Sequence, residues 1–258
     1  MRVPVVQQHS RRRRALRRRA LWTGGELLVT AGVVLLLLVV QQLWWTNREA
    51  RRGAERQVQA LERQWGTQTP TSPSSTSPST PANTEAADGS SPHRTTTATG
   101  SGGSTTPHPS QAYAILTIPR LHLRVPIAEG VSKRKVLNKG YVGHYPGTQQ
   151  PGQAGNFALA GHRNTHGEPF RYLPRLRLKD TVRVETSTAT YTYTVDKILP
   201  QTSAADSGVI RPVPRSTVKP SYGYSRPGYY ITLTTCTPEF TSRYRMVVWG
   251  TLTSTRPR

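Results

Sequence analysis

One cysteine, one histidine and two arginines have the types and positions needed for acyl transfer through a thiol. Cys236 ends the apolar run 229–236, His162 ends the run 156–162, and Arg243 and Arg245 open the run that follows the cysteine. A thiolate attacks an acyl carbon, an imidazole moves protons, and a fixed cation stabilises negative charge. Together these groups predict that Cys236 carries the acyl group as a thioester until a second nucleophile removes it.

Each of these residues also has a structural interpretation. Free cysteine is among the most buried residue types, His162 could be a core histidine bonded to backbone, and the two arginines could belong to a solvated basic face. An unpaired cysteine at a strand end with polar neighbours favours a reactive thiol. A metal site at His162 and His166 has no obvious third ligand except Glu168, so we expect no metal and no cofactor. His144 is expected to be structural.

The spacing of the cysteine and the arginines predicts a hairpin. The connection 237–242 has six residues, and an antiparallel pair closed by it places Cys236 opposite Arg243. Arg245 is then a diagonal neighbour at about 7–8 Å, within reach of a long side chain. Both arginines fall on one strand face, so this geometry alone does not choose between them.

From about residue 112 the sequence predicts one domain of many short strands. Many short strands separated by Pro/Gly turns indicate a mainly β fold, a barrel or a sandwich. Alternating apolar residues on both sides of 185–189 predict a hairpin there, and helical patterns are confined to 132–138 and 169–176. The predicted strands are Ala114–Ile118, Val125–Ala128, Asn156–His162, Thr181–Glu185, Thr190–Leu199, Tyr229–Cys236 and Tyr244–Thr251.

The N-terminal region predicts a membrane anchor. Eight arginines fall in residues 1–20, and the largely apolar stretch Leu27–Trp45 follows them. As a helix this stretch is about 28 Å long, close to a hydrocarbon thickness of about 30 Å. No small-x-small cleavage site of a signal peptide follows Val40, and we interpret the arginines as a topology signal rather than a nucleic-acid tail. They predict a cytoplasmic N-terminus and an extracellular domain.

Composition divides the chain into five parts. We expect an Arg-rich arm (1–20), a transmembrane anchor (21–46), a charged juxtamembrane helix (47–65), a disordered Ser/Thr/Pro/Gly linker (66–111) and the β domain (112–258). The linker has almost no large apolar side chain to offset its ordering entropy, which predicts a tether that holds the domain away from the membrane. We accordingly expect the domain to be active without residues 1–65.

The charge of the β domain leaves a second class of function open. Residues 112–258 carry 21 basic and 7 acidic side chains, within a chain of net charge +22. A basic extracellular module that binds anionic wall polymer, with an inert cysteine, is therefore the alternative to an enzyme. Salt-dependent polymer binding that is unchanged in a Cys236→Ala variant would favour this alternative.

The run Thr232-Leu-Thr-Thr-Cys236, a following arginine and an upstream Ala160-Gly-His-Arg163 resemble the sortases, the cysteine transpeptidases of Gram-positive cell surfaces. Gly143-His-Tyr-Pro-Gly-Thr148 and Cys236-Thr-Pro-Glu-Phe240, together with the basic arm, single span and long linker, are similar to class E sortases of actinobacteria. A second class of cysteine enzymes, the L,D-transpeptidases, carries a Ser-His-Gly-Cys cluster. This chain has no Gly-Cys dipeptide, which argues against that class.

The resemblance implies a closed eight-stranded sortase β-barrel with short helices, and it implies residue roles. Cys236 would be the nucleophile and His162 the acid/base. Arg245 would stabilise the substrate and the oxyanion, with Arg243 as the other candidate. The residues implied to bind the substrate are Leu233, Thr234, Thr235 and Arg243.

The resemblance also implies substrates and a location. The enzyme would cleave a Leu-Pro-x-Thr-Gly-like or, for class E, Leu-Ala-x-Thr-Gly sorting signal between Thr and Gly. It would then transfer the acyl group to the amine of a lipid-linked peptidoglycan precursor. The implied partners are surface proteins with a C-terminal sorting signal, that precursor, and the membrane through one helix, with no nucleic acid. The implied location is the cell membrane, single-pass, with the catalytic domain outside.

Overall fold

The computed structural model describes residues 9–67 and 107–258. The chain begins there with the long helix α1 (His9–Gly66) and continues with eight strands and short 3₁₀ helices. Residues 1–8 of the predicted arm and most of the predicted linker lie outside the described residues. The strands are β1 (Ala112–Ile118), β2 (Leu123–Glu129), β3 (Val142–His144), β4 (Gly155–Ala160), β5 (Thr181–Glu185), β6 (Ala189–Ser203), β7 (Tyr229–Thr237) and β8 (Tyr244–Pro257).

The eight strands close into a barrel in the order β1-β2-β3-β4-β7-β8-β6-β5. The β2–β3 and β4–β7 pairs are parallel and the other pairs are antiparallel. The mainly β fold and the eight-stranded barrel are confirmed, as is the β5–β6 hairpin. The predicted helical pieces shrink to 3₁₀ helices at Leu137–Lys139 and Leu173–Arg175, and the three-residue strand β3 was not predicted.

Period-two alternation along the strands separates the barrel interior from its outer face. On β7, Ile231 and Leu233 lie in the interior core with Phe157 and Leu159 of β4. By alternation Thr232 and Thr234 point the other way; their hydroxyls donate to Asn156 Oδ1 and to the Leu159 backbone carbonyl. The same end and face of β4 and β7 carry the candidate site.

The first half of α1 exposes apolar side chains. Within the described residues, α1 includes a window with a mean hydropathy of 2.2 and none of its residues buried, which makes it a candidate membrane span by length and composition. Trp44 and Trp45 at its end are exposed, as expected of aromatic side chains at a membrane–water interface.

The second half of α1 packs on the barrel. Its buried stripe repeats every three or four residues, so these residues share one helical face. Val58, Leu61 and Trp65 pack on Ile115 of the β1 outer face, and each such burial contributes about 1.5–3 kcal/mol. The buried residues of this stripe are Ala50, Ala54, Val58, Leu61 and Trp65.

Polar contacts flank this apolar stripe. The Arg124 guanidinium of β2 lies 2.7 Å from the Glu62 carboxylate, and the Arg258 guanidinium lies 4.7 Å from the centre of the Trp65 ring. Gly140 has a positive φ, and a Cβ there would lie 2.8 Å from the Ala50 carbonyl oxygen. The close approach of α1 to the 137–140 turn therefore requires glycine at this position.

Candidate active site

Cys236 lies one residue before the end of β7 and is half-buried. By alternation its side chain shares the outer face of the barrel with Thr234 and Thr232. Strands hold this position rigidly, while the partial exposure leaves the thiol accessible to a substrate. These are the conditions for a reactive rather than a core cysteine.

His162 emerges beside Cys236 because β4 and β7 are parallel neighbours. Ala160 pairs with Thr234, so His162 and Cys236 each lie two residues beyond the last pair. The Gly161 amide donates to the Thr234 carbonyl at 3.1 Å, which extends the pairing toward the histidine. Adjacent strands are about 4.8 Å apart, so this register brings together residues 74 positions apart in sequence.

Arg245 flanks the cysteine on the opposite side. β7 and β8 pair Cys236 directly with Arg245 and Thr237 with Tyr244. The expectation that Cys236 lies opposite Arg243 is wrong by two residues. β7 continues to Thr237, which pairs with Tyr244, so the turn begins after Thr237 and the partner of Cys236 is Arg245. Arg243 lies outside β8 and is exposed, with its guanidinium 5.2 Å from the Tyr244 ring centre.

The Arg245 guanidinium is held by the turn that follows the cysteine. Its Nη1 donates to the carbonyls of Ser242 and Tyr244, each at 2.9 Å. Directly paired residues of an antiparallel ladder have side chains on the same face, so Arg245 shares the face of Cys236. Within the described residues its other N–H groups have no hydrogen-bond partner, which leaves donors for an oxyanion or a substrate carbonyl.

The ring of His162 is fixed by two neighbours. Its Nε2 lies 2.9 Å from Asn138 Oδ1, and because that oxygen can only accept, Nε2 carries the proton. The ring also stacks on His166 with centroids 5.4 Å apart. Nδ1 is then the atom of the neutral ring that can accept a proton.

The surroundings of His162 favour its neutral form. Burial, followed by the charges of His166 and Lys133, lowers the pKa of His162 to about 4. At neutral pH the imidazole is therefore unprotonated and can act as a base.

Arg163 contributes contacts that the sequence did not predict. Its Nη1 donates to the Cys236 carbonyl at 3.2 Å and to Thr237 Oγ1 at 2.9 Å. Arg163 thus ties the segment that follows His162 to the backbone at Cys236. Its position immediately after His162 was the available signal, since the register that aligns His162 with Cys236 also brings Arg163 to the end of β7.

The three residues before Cys236 have structural contacts. The Leu233 side chain lies in the barrel core with no exposed surface, so the expectation that it lines the substrate groove is wrong for its side chain. Thr234 Oγ1 donates to the Leu159 carbonyl at 3.0 Å, and Thr235 Oγ1 donates to the Gly161 carbonyl at 2.8 Å. Both hydroxyls hold β7 to the end of β4, and the implied role of Thr234 and Thr235 in substrate binding stays a prediction.

The remaining histidine candidate is part of a buried network. His144 is 1% exposed, and its Nδ1 lies 2.7 Å from a Glu129 carboxylate oxygen. Within residues 9–67 and 107–258, no three His, Cys, Asp or Glu side chains gather as a possible metal site.

The arrangement of Cys236, His162 and Arg245 suits acyl transfer. His162, with its neutral imidazole, lies just beyond the end of β4 beside the thiol, and the Arg245 guanidinium lies on the β8 side, on the outer face that Cys236 shares. The imidazole can take the thiol proton, and the guanidinium can stabilise an oxyanion that develops beside the sulfur.

Comparison with known proteins agrees with this chemistry. The Sortase domain family model matches residues 116–253. The sortase SrtE1 of Streptomyces coelicolor is 53% identical over 155 residues, which are 58% of this chain and 43% of that protein. Its relative SrtE2 is 37% identical over 134 residues, 50% of this chain and 51% of that protein. This chain therefore spans about half the length of the curated relatives that it matches.

Solved structures give the same result. The crystal structure of sortase E1 from Streptomyces coelicolor, with a tripeptide in its active site, has a TM-score of 0.55 and 52% identity, covering 59% of this chain and 94% of that one. Sortase E from Streptomyces avermitilis has a TM-score of 0.51 and 43% identity, covering 58% and 92%. With the family model matching more than half of its residues, the chain belongs to the sortase family of cysteine transpeptidases and to its class E.

Proposed function

We propose that this chain is a membrane-anchored cysteine transpeptidase that cleaves a Leu-Ala-x-Thr-Gly or Leu-Pro-x-Thr-Gly sorting signal between Thr and Gly. It transfers the acyl part of the surface protein to the amine of a lipid-linked cell-wall precursor. The observation that carries the proposal is the strand register, which aligns His162 beyond the end of β4 with Cys236 and pairs Cys236 directly with Arg245. Family membership supports the reaction type.

In the first half-reaction the Cys236 Sγ attacks the carbonyl carbon of the signal threonine. His162 Nδ1 takes the thiol proton, and Arg245 stabilises the oxyanion of the tetrahedral intermediate. Collapse of that intermediate breaks the Thr–Gly C–N bond, and the imidazolium gives its proton to the departing glycine amine. The low pKa of His162 supports this sequence, because the ring starts neutral and gives up its proton readily.

In the second half-reaction the acceptor amine attacks the thioester carbonyl. His162 takes a proton from the attacking nitrogen, a new amide forms, and the C–S bond breaks. The proton then returns to the Cys236 sulfur. No redox change or cofactor is required, and the two halves use the same three residues.

For its location we propose a single-pass membrane protein with the barrel outside the cell. The apolar, exposed first half of α1 supports the span. The arginine excess before the span supports a cytoplasmic N-terminus. This orientation brings the site to the compartment where surface proteins and lipid-linked wall precursors meet.

The test incubates the full chain in detergent micelles with a Leu-Ala-x-Thr-Gly peptide and oligoglycine, followed by mass spectrometry. We expect a peptide thioester on Cys236 and a Thr–oligoglycine product, both lost in Cys236→Ala. A folded wild-type chain that cleaves neither this peptide nor a Leu-Pro-x-Thr-Gly peptide would contradict the proposal. Cleavage that persists in Cys236→Ala would contradict the assigned nucleophile.

A further inference from the structure

Asn138, one of the two contacts of the His162 ring, lies in a turn that α1 supports. Its Oδ1 accepts the proton of His162 Nε2 at 2.9 Å, and it sits within the 3₁₀ helix Leu137–Lys139. Gly140 follows this helix and lies directly against the Ala50 backbone of α1. The position of the hydrogen-bond acceptor for His162 is therefore set by a turn that rests on the helix.

His166, the other contact of the ring, lies in a loop that α1 also holds. His166 stacks on His162, and Gly167 follows it. Arg51 Nε donates to the Gly167 carbonyl at 3.1 Å, and the Gly167 amide donates to Asn47 Oδ1 at 3.2 Å. Two side chains of α1 thus fix both backbone polar groups of the residue next to His166.

Glu168 joins this loop to α1 through a buried carboxylate. Its side chain is only 4% exposed. One oxygen accepts from Asn47 Nδ2 at 2.9 Å, and the other accepts from Arg51 at 2.9 Å and from Arg171 at 2.7 Å. Two of these three partners belong to α1, and a buried carboxylate that loses partners is unfavourable, so this loop conformation depends on α1.

The network also reaches the loop that follows the cysteine. Arg171, held by Glu168, has its other terminal nitrogen 3.4 Å from a Glu239 carboxylate oxygen. Glu239 belongs to the β7–β8 turn, three residues after Cys236. One chain of ion pairs therefore connects α1 to segments on both sides of the thiol.

We propose that the juxtamembrane part of α1, residues 47–65, is a positioning element of the active site that acts through Asn47, Arg51 and Glu168 on the loops holding His162. This inference rests on the proposed function. It replaces the expectation that the β domain acts alone: without residues 47–65, Glu168 and Gly167 lose their α1 partners, and the Gly140 turn loses the surface on which it rests. His162 would then sample positions from which it cannot reach the thiol proton.

The test compares the Asn47→Ala/Arg51→Ala double variant with wild type as full chains in detergent micelles. We expect kcat for peptide cleavage to fall about ten- to hundred-fold, as for a misplaced catalytic group, with KM changed less than about twofold. The Arg52→Ala variant is the matched control, because among the described residues the Arg52 guanidinium has no hydrogen-bond or ion-pair partner. Arg51→Lys keeps the charge without the two-pronged contact and should fall in between.

Hydrogen exchange gives a readout that requires no turnover. We expect faster exchange in residues 136–141 and 161–171 of the double variant, with the β1–β8 strands protected as in wild type. An inactive wild type would refute the proposed function, while the exchange comparison would still decide the role of α1. Unchanged kcat together with unchanged loop exchange would overturn the inference, as would an equal loss in Arg52→Ala. If the double variant unfolds, kcat and hydrogen exchange of the Arg51→Lys variant decide whether α1 positions the site.

Discussion

Three arginines near Cys236 have distinct contacts at the residue scale. Arg163 holds the Cys236 carbonyl, and Arg245 is paired with Cys236 across the β7–β8 ladder. Arg243 lies beyond the ladder and is exposed. A cation in direct register with the nucleophile is the one placed to stabilise charge on the acyl oxygen, so Arg245 and not Arg243 should carry that role.

We therefore expect Arg245→Ala to lower kcat about 10²–10³-fold, the usual cost of losing an oxyanion donor. Arg243→Ala, which removes the same charge two residues away, should stay within about threefold of wild type, since solvent screens exposed charges. Steady-state cleavage of the Leu-Ala-x-Thr-Gly peptide measures both. Equal losses in the two variants would indicate general electrostatic attraction of the substrate rather than a positioned donor.

The pKa of His162 predicts an unusual acid limit for the reaction. Because burial, His166 and Lys133 lower this pKa to about 4, the ring stays neutral as the pH falls through 6.5, the ordinary value for histidine. The profile of kcat/KM against pH should therefore show its acid limb near pH 4, and NMR titration of the His162 imidazole should show the same midpoint. An acid limb near pH 6.5 in a folded chain would contradict the assignment of His162 as the base.

A pair of lysine variants isolates one cause of this shift. Lys133→Ala removes a positive neighbour that lowers the pKa, so the acid limb should move toward higher pH. Lys135→Ala removes an exposed charge of the same loop that makes no such contribution, and its profile should match wild type. The Lys133 effect should also shrink at high salt, since both lysines are exposed and solvent ions screen them.

At the element scale, the sequence predicts individual strands well but predicts the register between strands less well. Short β-rich runs separated by turns identified seven of the eight strands, and alternation identified the β5–β6 hairpin, because these signals lie within each segment. The register of β7 and β8 was predicted two residues off, since the apolar pattern does not fix where Cys236 stops pairing. Because the register shift is an even number of residues, each side chain stays on its predicted face of the sheet. The predicted faces of Cys236 and Arg245 were therefore right, although the predicted partner of Cys236 was wrong.

Two structural features were not predicted from the sequence, for different reasons. The parallel pairing of β4 with β7 joins segments 74 residues apart and was not predicted; the resemblance to sortases implied only that His162 and Cys236 act in one site. The apolar stripe of α1, in contrast, was visible at Ala50, Ala54, Val58, Leu61 and Trp65 but was masked by the many charged residues between them. Their spacing of three or four residues is the signal of a helix face that packs on another element.

At the scale of the whole molecule, docking of α1 brings the barrel close to the candidate membrane span. Asn47, two residues after Trp45 of the candidate span, already contacts the barrel at Gly167 and Glu168. α1 is one continuous helix across this junction. The distance between the candidate span and the candidate active site is therefore set by a packed helix rather than by the length of residues 68–106.

Because α1, and not residues 68–106, positions the barrel, we can predict how the chain tolerates deletions in that segment. Trp65 and Ala112 lie in one apolar cluster, so residues 68–106 connect two points already held together by the docked helix. Deleting residues 75–98 should leave kcat and KM unchanged and alter the free energy of unfolding by about 1 kcal/mol or less, the scale of a loop-length change. Thermal unfolding and peptide cleavage by the full chain in nanodiscs measure both quantities, with residues 75–98 replaced by a Gly/Ser segment of equal length as the control. A loss of activity in the shortened chain but not in the replaced one would mean that the reach of this segment, and not α1, sets the position of the barrel.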